Sequence, residues 1–293
     1  MQVVFIVLML VLGCAFGSFF CCQARRSKDV HILSRAASGR PVATGGRRSS
    51  SRCRVPEALR KDIEHPRSIC LHCHKQLKWY DNIPVVSWIL LRGRCRFCHK
   101  KIGVAEIIAE VSSGVALALI ATTINVEAAD ASAWVRFVLV TIFTLILIYL
   151  AIYDGLYGEL PSVILTISVI CAIITLIPQM WTGFLIGPFL SGLLYGGIYL
   201  LLYIVSKGKW VGDGDWILAL SIGLVLGSPW LSIVALFVAN FSACLVMFPF
   251  LKKIKNHQIY FGPFLALSFV VVYAMADVLN QLLSTVAISA GAL

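Results

Sequence analysis

The chain has 293 residues, of which 59% are hydrophobic and only 13% are charged, about half the charged share of an ordinary soluble domain. Its mean hydropathy is +0.88. This balance excludes a soluble globule, a disordered chain and a nucleic-acid-binding module, and predicts an all-α polytopic membrane protein with the lipid bilayer as its solvent. The net charge of +11 does not point to a nucleic acid partner. Between Gln23 and Lys101 lie 19 of the 25 basic residues and only five acids, while the rest of the chain is slightly acidic. One cytoplasmic loop obeying the positive-inside rule accounts for that distribution.

In chain order, about eight apolar stretches approach the 20 or so residues that a spanning helix needs. They are Val3–Cys22, Val104–Thr123, Trp134–Tyr153, Pro161–Ile177, Phe184–Val205, Val211–Gly227, Trp230–Phe250 and Phe261–Leu283. In the first, positive charges follow the apolar run rather than precede it. It is therefore expected to be a retained helix with its N-terminus outside, not a cleaved signal.

Alternation then places the basic loop, Asp154–Leu160, Ser206–Trp210 and Lys252–Gln258 in the cytoplasm. Asn125–Ala133, with Glu127 and Asp130, lies outside, as do Pro178–Gly183, Ser228–Pro229 and both termini. The expected organisation is a first transmembrane helix (1–22), a basic cytoplasmic loop (23–102) and a seven-helix membrane core (103–293). Leu33–Arg54, rich in Ser, Arg and Gly, reads as a loosely structured basic segment. Gly192 and Gly196, one helical turn apart, read as a close helix contact of the kind small residues permit in lipid.

The basic loop carries Cys70-Leu-His-Cys73 and Cys95-Arg-Phe-Cys98, two C-x2-C pairs separated by 21 residues. Each pair offers two thiolates from one tight turn, and two such turns close a tetrahedron around zinc. A four-thiolate sphere is complete, so the zinc would be structural, folding a loop with few apolar residues of its own. His72, His74 and His99 are surplus to that sphere and read as solvated neighbours. Cys14, Cys21, Cys22, Cys171 and Cys244 lie in apolar helices, where Cys is a small hydrophobe. Cys53 stands alone.

Two acidic sites draw attention because an intramembrane carboxylate costs about 2.5–3.5 kcal/mol at a helix centre. Asp154 ends the apolar run of the third stretch. Asp215 closes Gly212-Asp213-Gly214-Asp215. Trp216–Gly227 alone is too short to cross a bilayer, so the sixth span must take in the glycine-aspartate segment. Both carboxylates then lie at one depth near the cytoplasmic face. At about 4 Å and an effective dielectric of about 20, two charged carboxylates repel by about 4 kcal/mol, so a proton is shared. Such a pair suits aspartic proteolysis, one carboxylate taking a proton from water and the other polarising the scissile carbonyl. Gly212 and Gly214 are expected to clear space for an extended substrate backbone. Asp213 fits a helix cap or a solvated acid, and Glu106, Glu110, Glu159 and Asp277 form no comparable pair.

These residues together resemble the bacterial type IV prepilin peptidases, membrane aspartic proteases of the G-x-G-D type. The resemblance covers nearly the whole chain in order. It rests on Gly17-Ser18-Phe19, on the cysteine loop with Tyr80-Asp81-Asn82-Ile83-Pro84-Val85-Val86-Ser87-Trp88 and Leu91-Arg92-Gly93-Arg94-Cys95, and on Asp154-x5-Leu160-Pro161. It continues through Gly212-x-Gly214-Asp215 and Phe261-Gly262-Pro263-Phe264-Leu265-Ala266-Leu267. It implies Asp154 and Asp215 as the catalytic pair and Cys70, Cys73, Cys95 and Cys98 as zinc ligands. It also implies a bacterial inner-membrane location and a prepilin or pseudopilin substrate cut on the cytoplasmic side, after a glycine at the end of a basic leader. Many members also methylate the new N-terminus with S-adenosylmethionine, for which no motif here marks a site.

Three positions depart from the family pattern: Trp216-Ile217-Leu218 follows Asp215, Ser162 follows Pro161, and Ser27-Lys28 follows Arg25-Arg26. Two other readings compete, a presenilin-like or signal-peptide-peptidase-like protease and a transporter using Asp154 and Asp215 as proton or cation ligands. The four-cysteine loop and the order of the spans favour the prepilin peptidase.

Overall fold

A computed structural model describes residues 1–37, 70, 73, 75–180, 186–208, 210–248 and 260–291. Among them the chain is helical, with an isolated antiparallel bridge between Arg94 and Lys101. The helices are α1 (Gln2–Ala37), α2 (Val86–Leu90), α3 (Val104–Ala121), α4 (Ala131–Tyr157), α5 (Ser162–Ile174), α6 (Ile177–Met180), α7 (Ile186–Ser206), α8 (Asp215–Leu226), α9 (Pro229–Met247), α10 (Gly262–Ala274) and α11 (Ala276–Gly291), with a 3-10 turn at Trp79–Asn82. Cys53, His72, His74, Lys252–Gln258 and most of the Leu33–Arg54 segment lie outside the described residues.

The chain is an all-α polytopic membrane protein. α1, α3, α4, α7 and α9 are long and apolar enough to cross a bilayer, and α10 with α11 would make a sixth span bent by 64°. The remaining two expected spans are present but short: α5 has 13 residues and α8 has 12. α5 stops at Ile174, and the chain restarts at Ile177-Pro178. Proline has no N–H to extend the previous helix but fits the first turn of a new one. α8 starts at Asp215 rather than Val211 because Gly212–Gly214 form a turn. It ends at Gly227, whose φ of +73° suits a residue without Cβ and whose N–H bonds the Gly223 carbonyl.

Two compact units divide these elements, Met1–Gly13 with Ser113–Leu293, and Cys14–Ser112. The first is built around α8. Leu218, Ala219, Ser221, Ile222, Gly223 and Leu224 of this helix are all buried, and it packs on α5, α7, α9 and α10. Its closest neighbour is α7, which offers Ser191, Gly192, Tyr195, Gly196 and Tyr199 as its buried face. A Cβ on Gly223 would stand 2.6 Å from the Ser191 carbonyl oxygen and 2.8 Å from Gly192 Cα. A Cβ on Gly196 would stand 2.6 Å from Leu220 Cβ. Gly192 and Gly196 thus serve close packing, as their spacing suggests. The Ser191 hydroxyl stitches the contact, lying 2.7 Å from both the Gly223 carbonyl and the Ser232 hydroxyl.

Helix ends in this unit are closed by side chains. Gln2 Nε2 donates to the carbonyls of Ala121 (3.2 Å) and Ile124 (2.8 Å), and its Oε1 accepts the Val126 N–H. Asp130 caps α4 by accepting the Ala133 N–H at 2.9 Å. That bond, helped by the Ser132 hydroxyl, holds its carboxyl below the usual carboxylate range.

In the second unit, Arg25 of α1 pairs with Glu106 of α3 at 2.5 Å. The buried Glu110 accepts the Val85 N–H at 2.7 Å. Val85 has a φ of +60°, a costly conformation for a β-branched residue that persists only where its surroundings enforce it. Glu106 and Glu110, which the sequence left without a role, therefore tie α3 to α1 and to the loop respectively.

Backbone contact between α7 and α8 sets a test of packing. Gly223→Val should destabilise the protein by about 1–3 kcal/mol through overpacking. Gly197→Ala, where an added Cβ meets nothing within 4 Å, should leave stability unchanged or slightly raised. Thermal unfolding of both variants in detergent checks this.

Candidate active site and metal centre

Asp154 occupies the last turn of α4 and is 5% exposed. The helix ends there because Gly158 adopts φ +67° and returns its N–H to the Asp154 carbonyl at 2.7 Å. Tyr260 packs against Gly158 so closely that a Cβ would have no room. On the side chain, Asp154 Oδ2 accepts the N–H of Gly262 at 2.9 Å. This donor comes from the start of α10, 108 residues away in sequence.

Asp215 is the first residue of α8 and is also 5% exposed. Its Oδ2 accepts the N–H of Gly212 at 2.9 Å, closing a tight turn with Asp213 and Gly214 at its centre. The Asp215 side chain thus captures the first N–H of the turn. Gly214 is buried, and a Cβ there would lie 2.9 Å from Leu160 and from Leu165. Its missing side chain lets the turn sit against the Leu160-Pro161 entry to α5. Gly212 and Asp213 are exposed.

The two carboxylates belong to one neighbourhood. From Asp154 the Gly262 bond leads to Phe261, whose ring meets Tyr199 with centroids 5.7 Å apart. Tyr199 is fully buried and feels the charge of Asp215, as Asp215 feels that of Asp154. The Tyr199 hydroxyl accepts a hydrogen bond from Asn240 Nδ2 at 3.3 Å. Two neighbouring carboxylates can share a proton. Sequence reasoning singles out both aspartates as candidates, but not the Gly262 donor or the Tyr199–Asn240 pair. The Phe261-Gly262-Pro263 phrase was the signal for the first, and Asn240 inside an apolar helix the signal for the second. Ile217 is partly exposed on α8.

In the second unit, one ligand atom from each of Cys70, Cys73, Cys95 and Cys98 lies within 4.8 Å of the others. Cys70 Sγ and Cys98 Sγ are 3.9 Å apart. Four sulphurs at Zn–S distances of about 2.3 Å on a tetrahedron stand about 3.8 Å from one another, so this cluster could hold a metal. Local backbone bonds shape the turns: Cys70 N–H to the Lys75 carbonyl, Cys95 N–H to the Lys100 carbonyl, and His99 N–H to the Cys95 carbonyl. The Cys98 N–H, directed at the Cys95 sulphur, is the chief reason that this thiol is pushed down to about 7, against the opposing effect of burial. Around the cluster, Arg96 pairs with Asp81 at 2.7 Å and lies over the Tyr80 ring. Gly93, at φ +65°, leaves its Cβ space to Trp88. His99 is exposed.

Comparison with known proteins covers both regions. Residues 11–124 match the model of the Bacterial Peptidase A24 N-terminal domain. A Vibrio cholerae protein named Prepilin leader peptidase/N-methyltransferase is 45% identical over 17% of this chain and 20% of its own length. An Escherichia coli protein, the Type 4 prepilin-like proteins leader peptide-processing enzyme, is 29% identical over 69% of this chain and 73% of its own. No solved structure matches the chain. A Burkholderia pseudomallei Prepilin leader peptidase/N-methyltransferase is 30% identical over 91% of this chain and 83% of its own length. With a likeness that runs through both the cysteine loop and the aspartate-bearing helices, the chain belongs to the prepilin leader peptidase family.

Proposed function

We propose that the protein is an intramembrane aspartic endopeptidase that removes the basic leader from type IV prepilin-like proteins, prepilins or pseudopilins. Asp154 and Asp215 are the catalytic pair. The observation that carries this reading is the presence of two buried carboxylates from distant parts of the chain, each with one oxygen held by a backbone N–H. In the first step one carboxylate takes a proton from water while the other, protonated, donates to the scissile carbonyl oxygen. The new C–O bond gives a tetrahedral intermediate. In the second step the C–N bond breaks, the departing amine takes a proton from the dyad, and the carboxyl product leaves. No metal takes part.

The four cysteines hold a structural zinc. Bound there, zinc would tie the Cys70–Cys73 and Cys95–Cys98 turns together and, with four thiolates around it, would leave no open position for chemistry. Gly212, exposed beside Asp215, keeps side-chain bulk away from an incoming substrate backbone. Methylation of the new N-terminus with S-adenosylmethionine as donor is carried over from family membership and the relatives' names alone, and no residue is assigned to it. The enzyme sits in the bacterial inner membrane as a multi-pass protein. The concentration of Lys and Arg in residues 23–102 supports a cytoplasmic loop domain, with residues 1–22 and 103–293 in the membrane and both termini outside.

Asp154→Asn and Asp215→Asn should each lower prepilin cleavage by at least about 10³-fold while the protein stays folded. Wild-type turnover by either variant rejects the dyad. Asp213→Asn should cost far less, because this side chain is exposed on the turn; its complete inactivation would shift the assignment to Asp213. Metal analysis should find stoichiometric zinc in the wild type and a loss of zinc in Cys70→Ser, and unchanged zinc in that variant removes Cys70 from the ligand set.

A further inference from the structure

The start of α10 wraps the end of α4 at three successive points. Tyr260 covers Gly158, Gly262 bonds Asp154, and Pro263 lies opposite Gly155 at 3.8 Å from a Cβ there. The middle contact has the least tolerance. Gly262 is buried, and a Cβ on it would stand 2.8 Å from Asp154 Oδ2, 3.1 Å from Asp154 Cβ and 3.2 Å from Cγ. Pro263 brings no N–H of its own, so within this pair Gly262 supplies the donor. On the other side of the site, Gly212 makes the matching bond to Asp215 Oδ2. No hydrogen bond from the described residues reaches Oδ1 of either carboxylate.

We infer that Gly262 is a positioning residue for the aspartate pair: its N–H fixes Asp154 Oδ2 and thereby presents Oδ1 to water and substrate. The inference rests on the dyad reading above and deepens it. Two carboxylates sharing work must each face the reacting atoms with a chosen oxygen, and a freely turning carboxyl group spends much of its time in unproductive orientations. The backbone donor removes that freedom without adding a titratable group. Glycine is required because only a residue without Cβ lets the N–H approach this closely. The contact leaves the substrate untouched, so its loss affects the chemical step and not binding.

The test uses the full-length protein in lipid nanodiscs with a purified prepilin. Gly262→Ala should lower kcat about 100-fold, the scale of a misplacement near 1 Å, with KM unchanged. Gly197→Ala, remote from the site and with open space at its Cβ, serves as the control with wild-type kinetics. Wild-type kcat in Gly262→Ala overturns the inference, and so does a loss expressed only in KM. Should Gly262→Ala fail to fold, the wild-type residue is read directly. In protein labelled with 15N-glycine, the Gly262 amide resonance should move strongly in Asp154→Ala and stay in place in Asp213→Ala. An unmoved resonance overturns the inference. Failure of the dyad reading is seen separately, as cleavage by Asp154→Asn itself.

Discussion

Keeping two carboxylates inside an apolar helical core is the constraint around which the membrane unit is arranged. Each carboxylate removed from water loses several hydrogen bonds that lipid and aliphatic side chains cannot replace. Each recovers one from a glycine N–H, at 2.9 Å in both cases. These donors are backbone groups, neutral and fixed, so they stabilise the acids without neutralising them as a Lys or Arg would. A buried cation at either place would lock the acid into a salt bridge and hold it charged, against the proposed role of proton carrier. Polar but uncharged support suits the proposed role of a pair that gains and loses a proton.

Around this pair the unit uses small residues where its helix backbones meet. Association of helices in lipid draws little on the hydrophobic effect, so close backbone contact and buried hydroxyl bonds hold α7, α8 and α9 together. The Ser191–Gly223–Ser232 cluster and the Gly192–Gly196 face show both devices. The Cys14–Ser112 unit solves a different problem. It has few apolar side chains to bury between its turns, and the described part of its loop is organised by four converging sulphurs, an ion pair and a buried acid. Glu110 in particular holds the strained Val85 through its N–H, so an acid that reads as an isolated charge in α3 proves to be an anchor for the cysteine loop.

The sequence made legible whatever is written in side-chain type and spacing. Two C-x2-C pairs announce a four-sulphur cluster whatever the path between them. Asp154 and Asp215 stand out because charge is rare in apolar runs. Eight apolar segments are visible by length. The short reach of α8 was not legible, because Val211–Gly227 has the hydropathy of a span, whereas the turn at Gly212–Gly214 depends on a bond between Asp215 and a backbone N–H. Nor was the break at Thr175–Leu176 or the bend between α10 and α11, where apolar composition runs on without interruption. The capping by Gln2 and Asp130 was hidden for a related reason: a cap is recognised from the carbonyl or N–H it meets, and those are fixed only by the fold.

The Phe261-Gly262-Pro263 phrase shows the same limit at the site itself. An N–H belongs to every residue but proline, so no sequence can mark which one serves a carboxylate. What a sequence can mark is exclusion: a position where any side chain would collide is held to glycine. Gly214 and Gly262 both meet that condition, yet for different reasons. At Gly214 the space is taken by Leu160 and Leu165, and the glycine serves packing of the turn on α5. At Gly262 the space is taken by the carboxylate of Asp154, and the glycine serves the acid directly. Two glycines that look alike in the chain are therefore distinguished by what fills the place of their missing Cβ. By that criterion the site is a three-part assembly of the Asp154 helix end, the Gly212–Asp215 turn and the first turn of α10.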